Sequence, residues 1–358
     1  MPADSTPPPT VAATTATVRL RRRQVLVLPA LLLLVVVVAT WSLGSGAVAI
    51  DAREVAGALW RMVTGAAATG DDTIVTTLRL PRTLFGLVVG AGLAAAGVAM
   101  QGLFRNPLAD PALIGVSSGA AFGAVATIVF GGTWFAHGTP PDAIALGAFA
   151  SGLSSTLVVW SIGRRRPGVA TLLLAGVAIN AIALAGVGWL QYLASERQLR
   201  DLTFWSLGSL AGTDWKRLFI VLPCVGLPLL ILPTQARALN ALLLGEHEAA
   251  FLGFRPARVQ KLLIALVALM VSSAVAFTGI ISFIGLVVPH LLRLSLGPDH
   301  RLLLPASALG GAALVPAADT LARTLAAPAE LPLGVLTALV GGPFFLWLLL
   351  RSPIVESR

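Results

Sequence analysis

Residues 83–104 read TLFGLVVGAGLAAAGVAMQGLF, an apolar run of 22 residues without a single acidic or basic side chain. A helix rises about 1.5 Å per residue, so a run of this length spans the roughly 30 Å hydrocarbon core of a bilayer. Similar runs recur along the chain, and they predict an all-α polytopic membrane protein with ten transmembrane helices. The predicted spans are 24–48, 83–104, 112–131, 142–163, 169–193, 216–234, 259–279, 281–297, 303–323 and 332–350.

Composition supports this class. The 358 residues are 56% hydrophobic and 11% charged, with a mean hydropathy of +0.88, whereas soluble domains carry about 25% charged residues. The net charge of +9 does not indicate a nucleic-acid partner, because the basic residues cluster in particular loops. Sixteen of the 25 basic residues fall on one side of the predicted bundle. The positive-inside rule then places both termini in the cytoplasm and the chain in the cytoplasmic membrane.

The N-terminus divides into two predicted parts. Residues 1–18 are rich in Pro, Thr and Ala and predict a disordered cytoplasmic tail, and residues 19–358 form the ten-helix domain. The arginines at 19–23 and the apolar segment after them also fit a signal peptide that ends at Ala47–Val48–Ala49. We prefer a retained first helix, because further spans follow.

Several kinds of chemistry are missing from the sequence. A phosphate-binding P-loop needs Gly-Lys-[Ser/Thr], but the two lysines, Lys216 and Lys261, follow Trp215 and Gln260. The four histidines have no metal-ligand spacing, and the single cysteine, Cys224, excludes an intrachain disulfide. We therefore expect no catalytic residue, no metal site and no cofactor held by this chain.

Ionisable groups are also rare inside the predicted spans, although ion-driven transporters usually need them there. Asp319 and Arg323 form the main exception, and their four-residue spacing predicts a pair on one helix face. The other main polar groups are Asn180, Gln101 and Gln191. If the chain moves a solute, the energy is expected to come from another protein.

Three segments stand out. In RLPR, at 79–82, two arginines in a rigid turn can grip a partner's carboxylates or anchor the helix at the membrane interface. In RNPLADP, at 105–111, two prolines and the capping residues Asn106 and Asp110 predict a stiff loop, which either plugs a pore with Leu108 or is only a well-capped turn.

The third segment is the predicted cytoplasmic loop 235–261. A short amphipathic helix is expected from Glu246 to Leu252, Gly253 is placed to end it, and Pro256 suits the first turn of the next helix. Apolar side chains in a wet loop indicate either a partner surface or a helix lying on the membrane or on its own bundle.

From Arg79 to Leu350 the chain resembles the permease family of ABC importers for ferric siderophores, vitamin B12 and haem. The resemblance rests on ordered blocks at matching spacing. They are RLPRTLFGLVVGAGLAAAGVAMQGLFRNPLADPALIGVSSGAAFGA, LLLAGVAINAI, FWSLGSLAGTDW, LGEHEAAFLGF, GIISFIGLVVPHLLRLSLGPDHRLLLPASALGGA, AADTLAR and ELPLGVLTALVGGPFFLWLL.

The resemblance implies a subunit that pairs with a second permease, identical or paralogous, around a central pathway. It also implies two cytoplasmic ATPase subunits, which hold ATP and Mg, and an extracytoplasmic substrate-binding protein. A ferric siderophore is the leading expected substrate, with vitamin B12 or haem as alternatives. An ion-coupled secondary transporter is the rival class.

The same resemblance implies roles for particular residues. The fifth and tenth helices are expected to line most of the pathway. Docking of the binding protein is expected at Arg79, Arg82 and Arg323. A cytoplasmic gate is expected at Asn106, Leu108, Val169 and Ala170. Contact with the ATPase is expected at Gly245, Glu246, Phe251, Leu252, Gly253 and Phe254.

Overall fold

The computed structural model describes residues 11–46, 48–66, 70–135, 139–165, 168–327 and 329–351. All regular secondary structure within these ranges is helical. The α-helices are α1 (Val11–Gly44), α2 (Ala52–Thr64), α3 (Gly70–Thr73), α4 (Leu80–Phe104), α5 (Val116–Trp134), α6 (Pro141–Arg165), α7 (Val169–Leu193), α8 (Glu196–Leu207), α9 (Trp215–Ile231), α10 (Ala236–Leu244), α11 (Glu246–Phe251), α12 (Pro256–Thr278), α13 (Ile284–Leu296), α14 (His300–Thr324) and α15 (Leu333–Arg351).

Seven helical segments among the described residues are long and apolar enough to cross a membrane, and three shorter apolar helices accompany them. All ten overlap the ten predicted spans. The shortest, α13, has 13 residues and rises only about 20 Å, which is less than the hydrocarbon thickness. The all-helical membrane fold is therefore confirmed, while the count of ten full spans and the orientation of the termini stay predictions.

Three predicted boundaries move. Helix α1 begins at Val11, so the tail predicted for residues 1–18 is shortened, since no helix breaker separates Val11 from the apolar run. The first ten residues lie outside the described part of the chain. The third span begins at Val116 rather than at 112, because Pro111–Ile114 forms a 3₁₀ turn that ends at Gly115. The predicted loop 235–261 is largely helical and contains α10 and α11.

Helix α4 lies at the centre of the bundle and packs against α9, α12, α13 and α14. Glycines make this approach possible: a Cβ atom at Gly90 would collide with the backbone carbonyl of Gly311, and one at Gly97 with that of Gly285. Small residues let helix backbones come together in this way. These glycines therefore bring the backbone of α4 into direct contact with α13 and α14.

Candidate functional site

The three predicted docking arginines meet at one end of the bundle. Arg79 closes a π-helical turn, Ile74–Arg79, and Arg82 follows in the first turn of α4 behind Pro81. Arg323 comes from the last turn of α14. Together they line a cavity of about 250 Å³. We call these three residues the arginine cluster.

Arg82 lies between two carboxylates of its own chain. Its Nε and Nη2 donate to Asp319 at 3.0 and 2.8 Å, and its Nη1 and Nη2 donate to Glu330 at 3.0 and 2.9 Å. The predicted pair of Asp319 and Arg323 also forms, at 3.3 Å. The Asp319 side chain is only 3% exposed, while that of Glu330 is 41% exposed. Only the outer carboxylate of this network is therefore accessible from solvent.

The other two arginines bind backbone carbonyls near the end of α1. Arg79 donates to Leu43 and Gly44 at 2.7 and 2.9 Å and also to Val48. Arg323 donates to the carbonyl oxygens of Ser42 and Ser45, both at 2.8 Å. Both arginines are buried. They join the end of α1 to the rest of the bundle.

Hydrogen bonds from Arg82 hold the pKa of Glu330 below its usual value, although partial burial acts in the opposite direction. Glu330 is therefore ionised at neutral pH. The sequence alone did not single out Glu330. Its partner Arg82 lies 248 positions away. An acidic residue just before the last helix is therefore only a weak sequence signal for this ion pair.

Residues 105–111, which we call the proline loop, are held by their own hydrogen bonds. Arg105 ends α4 with a left-handed φ of 52°, and the backbone N–H of Asn106 donates to Gln101 at 3.1 Å. The Asn106 side chain accepts from the N–H of Leu108 at 2.9 Å, and Asp110 accepts from Ala112 at 2.8 Å. The predicted capping contacts of Asn106 and Asp110 therefore form, while the stiffness of the loop stays a prediction. Leu108 is half-buried, and its role as a gate stays a prediction.

The second predicted gate segment opens α7. Val169 packs on the core and Ala170 is exposed. Asn180, further along α7, donates to the carbonyl of Ala112 at 3.1 Å and accepts from Ser118. The middle of α7 and the residues after the proline loop are thus joined through Asn180, a contact that sequence reasoning did not identify.

Residues 245–254, which we call the coupling segment, have the predicted shape. Gly245 begins it with φ of 127°, α11 covers Glu246–Phe251, and Gly253 ends it with φ of 88°. Helix α11 ends one residue before the predicted Leu252. Phe251 is 91% and Leu252 61% exposed, whereas Phe254 packs against the core. Two large apolar side chains therefore face solvent on a rigid support.

A partly buried polar network beside the coupling segment was missed. The Asn240 side chain donates to Asp299 at 2.6 Å and accepts from the backbone N–H of His300 at 2.9 Å. Asp299 caps α14, so the network joins α10 to α14. The capping signal of Asp299 was readable in the sequence, but its distant partner was not. Within the described residues, no group of three or more His, Cys, Asp or Glu side chains could hold a metal ion.

Known proteins of one transport family are similar to this chain. The profile of the FecCD transport family matches residues 32–351. The hemin transport system permease protein HmuU of Yersinia pestis is 49% identical over 287 residues, which cover 77% of this chain and 82% of that protein. The vitamin B12 import system permease protein BtuC of Escherichia coli is 43% identical, covering 83% and 90%.

A solved structure is also similar. It is described as an inward-facing conformation of a putative metal-chelate type ABC transporter, and it matches with a TM-score of 0.80 and 34% identity. The match covers 91% of this chain and 99% of the other. The fold and the sequence therefore lead to the same group of proteins.

Proposed function

The chain belongs to the FecCD transport family and is a permease subunit of an ABC importer, and from this premise we propose that it imports a metal chelate. Haem is the first candidate, supported by the 49% identity to a permease named for hemin transport. Cobalamin follows, since several relatives are named for it. The ferric siderophore expected from the sequence remains a third candidate.

Uptake of labelled haem, cobalamin and a set of ferric siderophores tests this proposal, in cells with the intact gene, without it, and with it restored. Loss of one chelate, recovered on restoration, assigns the substrate. Unchanged uptake of all of them, in a strain without a second importer for each, contradicts metal-chelate import.

For the assembly, we propose that a second permease subunit binds to the exposed faces of α7 and α15. Leu174 and Trp189 on α7 are 71% and 72% exposed, and Leu339 on α15 is 67% exposed. These faces have no partner among the described residues of the chain, and they belong to the fifth and tenth predicted spans. A pathway with apolar walls suits passage and release, because affinity can reside in the binding protein.

For docking, we propose that an acidic side chain of an extracytoplasmic binding protein replaces Glu330 on the outer edge of Arg82. Glu330 is exposed and Asp319 is buried, so Glu330 is the carboxylate that an incoming acid can displace. Arg79 and Arg323 hold α1 beneath this position. They support the docking site from below.

For coupling, we propose that a separate cytoplasmic ATPase, which holds ATP and Mg, receives Phe251 and Leu252. Closure of two ATPases then moves the coupling segments, and the paired permeases alternate in access. The proline loop and the start of α7 close the cytoplasmic end. In this scheme the chain resides in the cytoplasmic membrane with the coupling segment inside the cell.

A further inference from the structure

An apolar groove with a cationic mouth runs between α6 and α12, away from the arginine cluster. Its mouth lies close to the coupling segment, since Gln260 beside Lys261 donates to Glu246 at 3.0 Å. The volume of the groove is about 290 Å³. Leu153 and Leu157 of α6 face Ala265 and Ala268 of α12 along it. The alanines leave the space, because a larger side chain at either position would fill it. At one end the helices close on each other, since a Cβ atom at Gly152 would lie 2.8 Å from the Ser272 hydroxyl.

The open end of the groove carries two cations and an aromatic ring. Lys261 Nζ lies 5.6 Å and the Arg164 guanidinium carbon 5.1 Å from the centre of the Trp160 ring. Cation–π attraction operates at such distances. Across the described ranges of the chain, neither cation has a carboxylate within 4 Å. Two like charges at one ring repel each other, and an anion between them would relieve that repulsion.

The length of the groove fits one membrane leaflet. The lining residues of α6 run from Leu153 to Trp160, a helical rise of about 10 Å, and Arg164 lies one turn, about 6 Å, further. The groove and its cationic mouth together match half of the hydrocarbon core, about 15 Å. An occupant must therefore be apolar for the depth of one leaflet and anionic at the membrane surface. Basic pockets between transmembrane helices are known to bind anionic lipid headgroups.

We propose that this groove is a binding site for one anionic phospholipid, whose acyl chain lies against Ala265 and Ala268 and whose phosphate group is bound by Lys261 and Arg164. The lipid fills the space between α6 and α12 that side chains leave open.

Native mass spectrometry of the purified full-length chain tests the site, with phosphatidylglycerol and phosphatidylcholine of identical acyl chains added in equal amounts. The wild type is expected to retain phosphatidylglycerol in preference. Each basic residue near a membrane surface changes binding roughly fivefold, so the double variant Lys261→Gln/Arg164→Gln should lose most of the preference. The matched control is Arg237→Gln/Arg301→Gln, which removes two exposed cations elsewhere.

A second pair of variants tests the acyl chain rather than the headgroup. Ala265→Phe should block the groove and lower retention of both lipids, whereas Ala150→Phe, at an exposed position on α6 outside the groove, should not. The positions changed in the test variants, Lys261, Arg164 and Ala265, and the control position Ala150 are exposed. An unchanged melting temperature checks that each variant folds. Equal retention of the two lipids by the wild type overturns the proposal. So does an equal loss in the Arg237/Arg301 control, or full retention by Ala265→Phe.

Discussion

The arginine cluster and the coupling segment both place large side chains at an end of the bundle, but their surroundings are opposite. Arg79 and Arg323 are buried and bound by carbonyls, and Arg82 is bound by two carboxylates. Phe251 and Leu252 are exposed and contact little of their own chain. A buried polar group must be satisfied internally, while an exposed apolar group gains most from a partner. The first region is therefore mainly structural and the second mainly available for contact.

The largest effect is expected from Arg82→Ala in the arginine cluster, on the free energy of unfolding. It leaves Glu330 unpaired and leaves buried Asp319 with only Arg323, and breaking such a buried pair costs about 3 kcal/mol. The free energy of unfolding of the purified chain in mixed micelles measures this loss. Lys216→Gln is the matched control, because it breaks an ion pair whose side chains are 65% and 55% exposed, and it should change little. If Lys216→Gln lowered the free energy of unfolding as much as Arg82→Ala, the arginine cluster could not be distinguished as a structural region.

The next effect concerns the contact region. Phe251→Glu should weaken binding of the ATPase about thirtyfold, as for a central interface residue, with no change in melting temperature. Titration of the ATPase against the chain in nanodiscs measures it. Ala257→Glu adds the same charge at another exposed position of the neighbouring helix and should bind nearly normally. A normal affinity for Phe251→Glu would show that this surface is not the contact.

A smaller effect is expected at the proline loop. Asn106→Ala removes the hydrogen bond to Leu108, worth about 1 kcal/mol, so a gate at this loop should open about fivefold more often. Leakage of a loaded chelate from proteoliposomes without ATP measures this. Leu108→Gly should leak more than Asn106→Ala. Vesicles that stay tight with both variants would leave the loop as a capped turn only.

The smallest effect is expected at the outer edge of the arginine cluster. Glu330→Gln removes the carboxylate that competes for Arg82, and an exposed pair of this kind changes affinity by fivefold at most. The binding protein should therefore bind the variant slightly more tightly at pH 7, as calorimetry can measure. Weaker binding would mean that Glu330 itself contacts the partner.

The same variant has a defined pH dependence. Because Arg82 lowers the pKa of Glu330, the ion pair is fully formed at every pH above the usual pKa of a glutamate. It is lost only as the pH falls through the lowered pKa. The advantage of Glu330→Gln should hold from pH 7 to about 5 and shrink below about pH 4. An advantage that disappears near pH 6 would point to a different titrating group.

Much of the fold was predictable, because apolar runs, glycine spacing and helix caps act between residues that are close in sequence. The turn at Asp110, the start of α12 at Pro256 and the Asp319–Arg323 pair all follow from interactions over four positions or fewer. The third span was placed too early, because a 3₁₀ turn and a helix have similar apolar sequences. The helical content of residues 235–261 was underestimated, because the helical backbone continues from α9 through the 3₁₀ turn Leu232–Gln235 into α10.

The sequence by itself determined the all-helical membrane fold, the caps of the proline loop and the family to which the chain belongs. The tertiary structure alone decided which of the conspicuous side chains are satisfied. Arg82 binds Asp319, 237 positions away, and Arg323 binds Ser42, 281 positions away. Lys261 of α12 and Arg164 of α6 both contact the ring of Trp160 on α6. Such pairings depend on how glycine-lined helices pack around α4, and packing over these separations leaves no local periodicity from which it could be read.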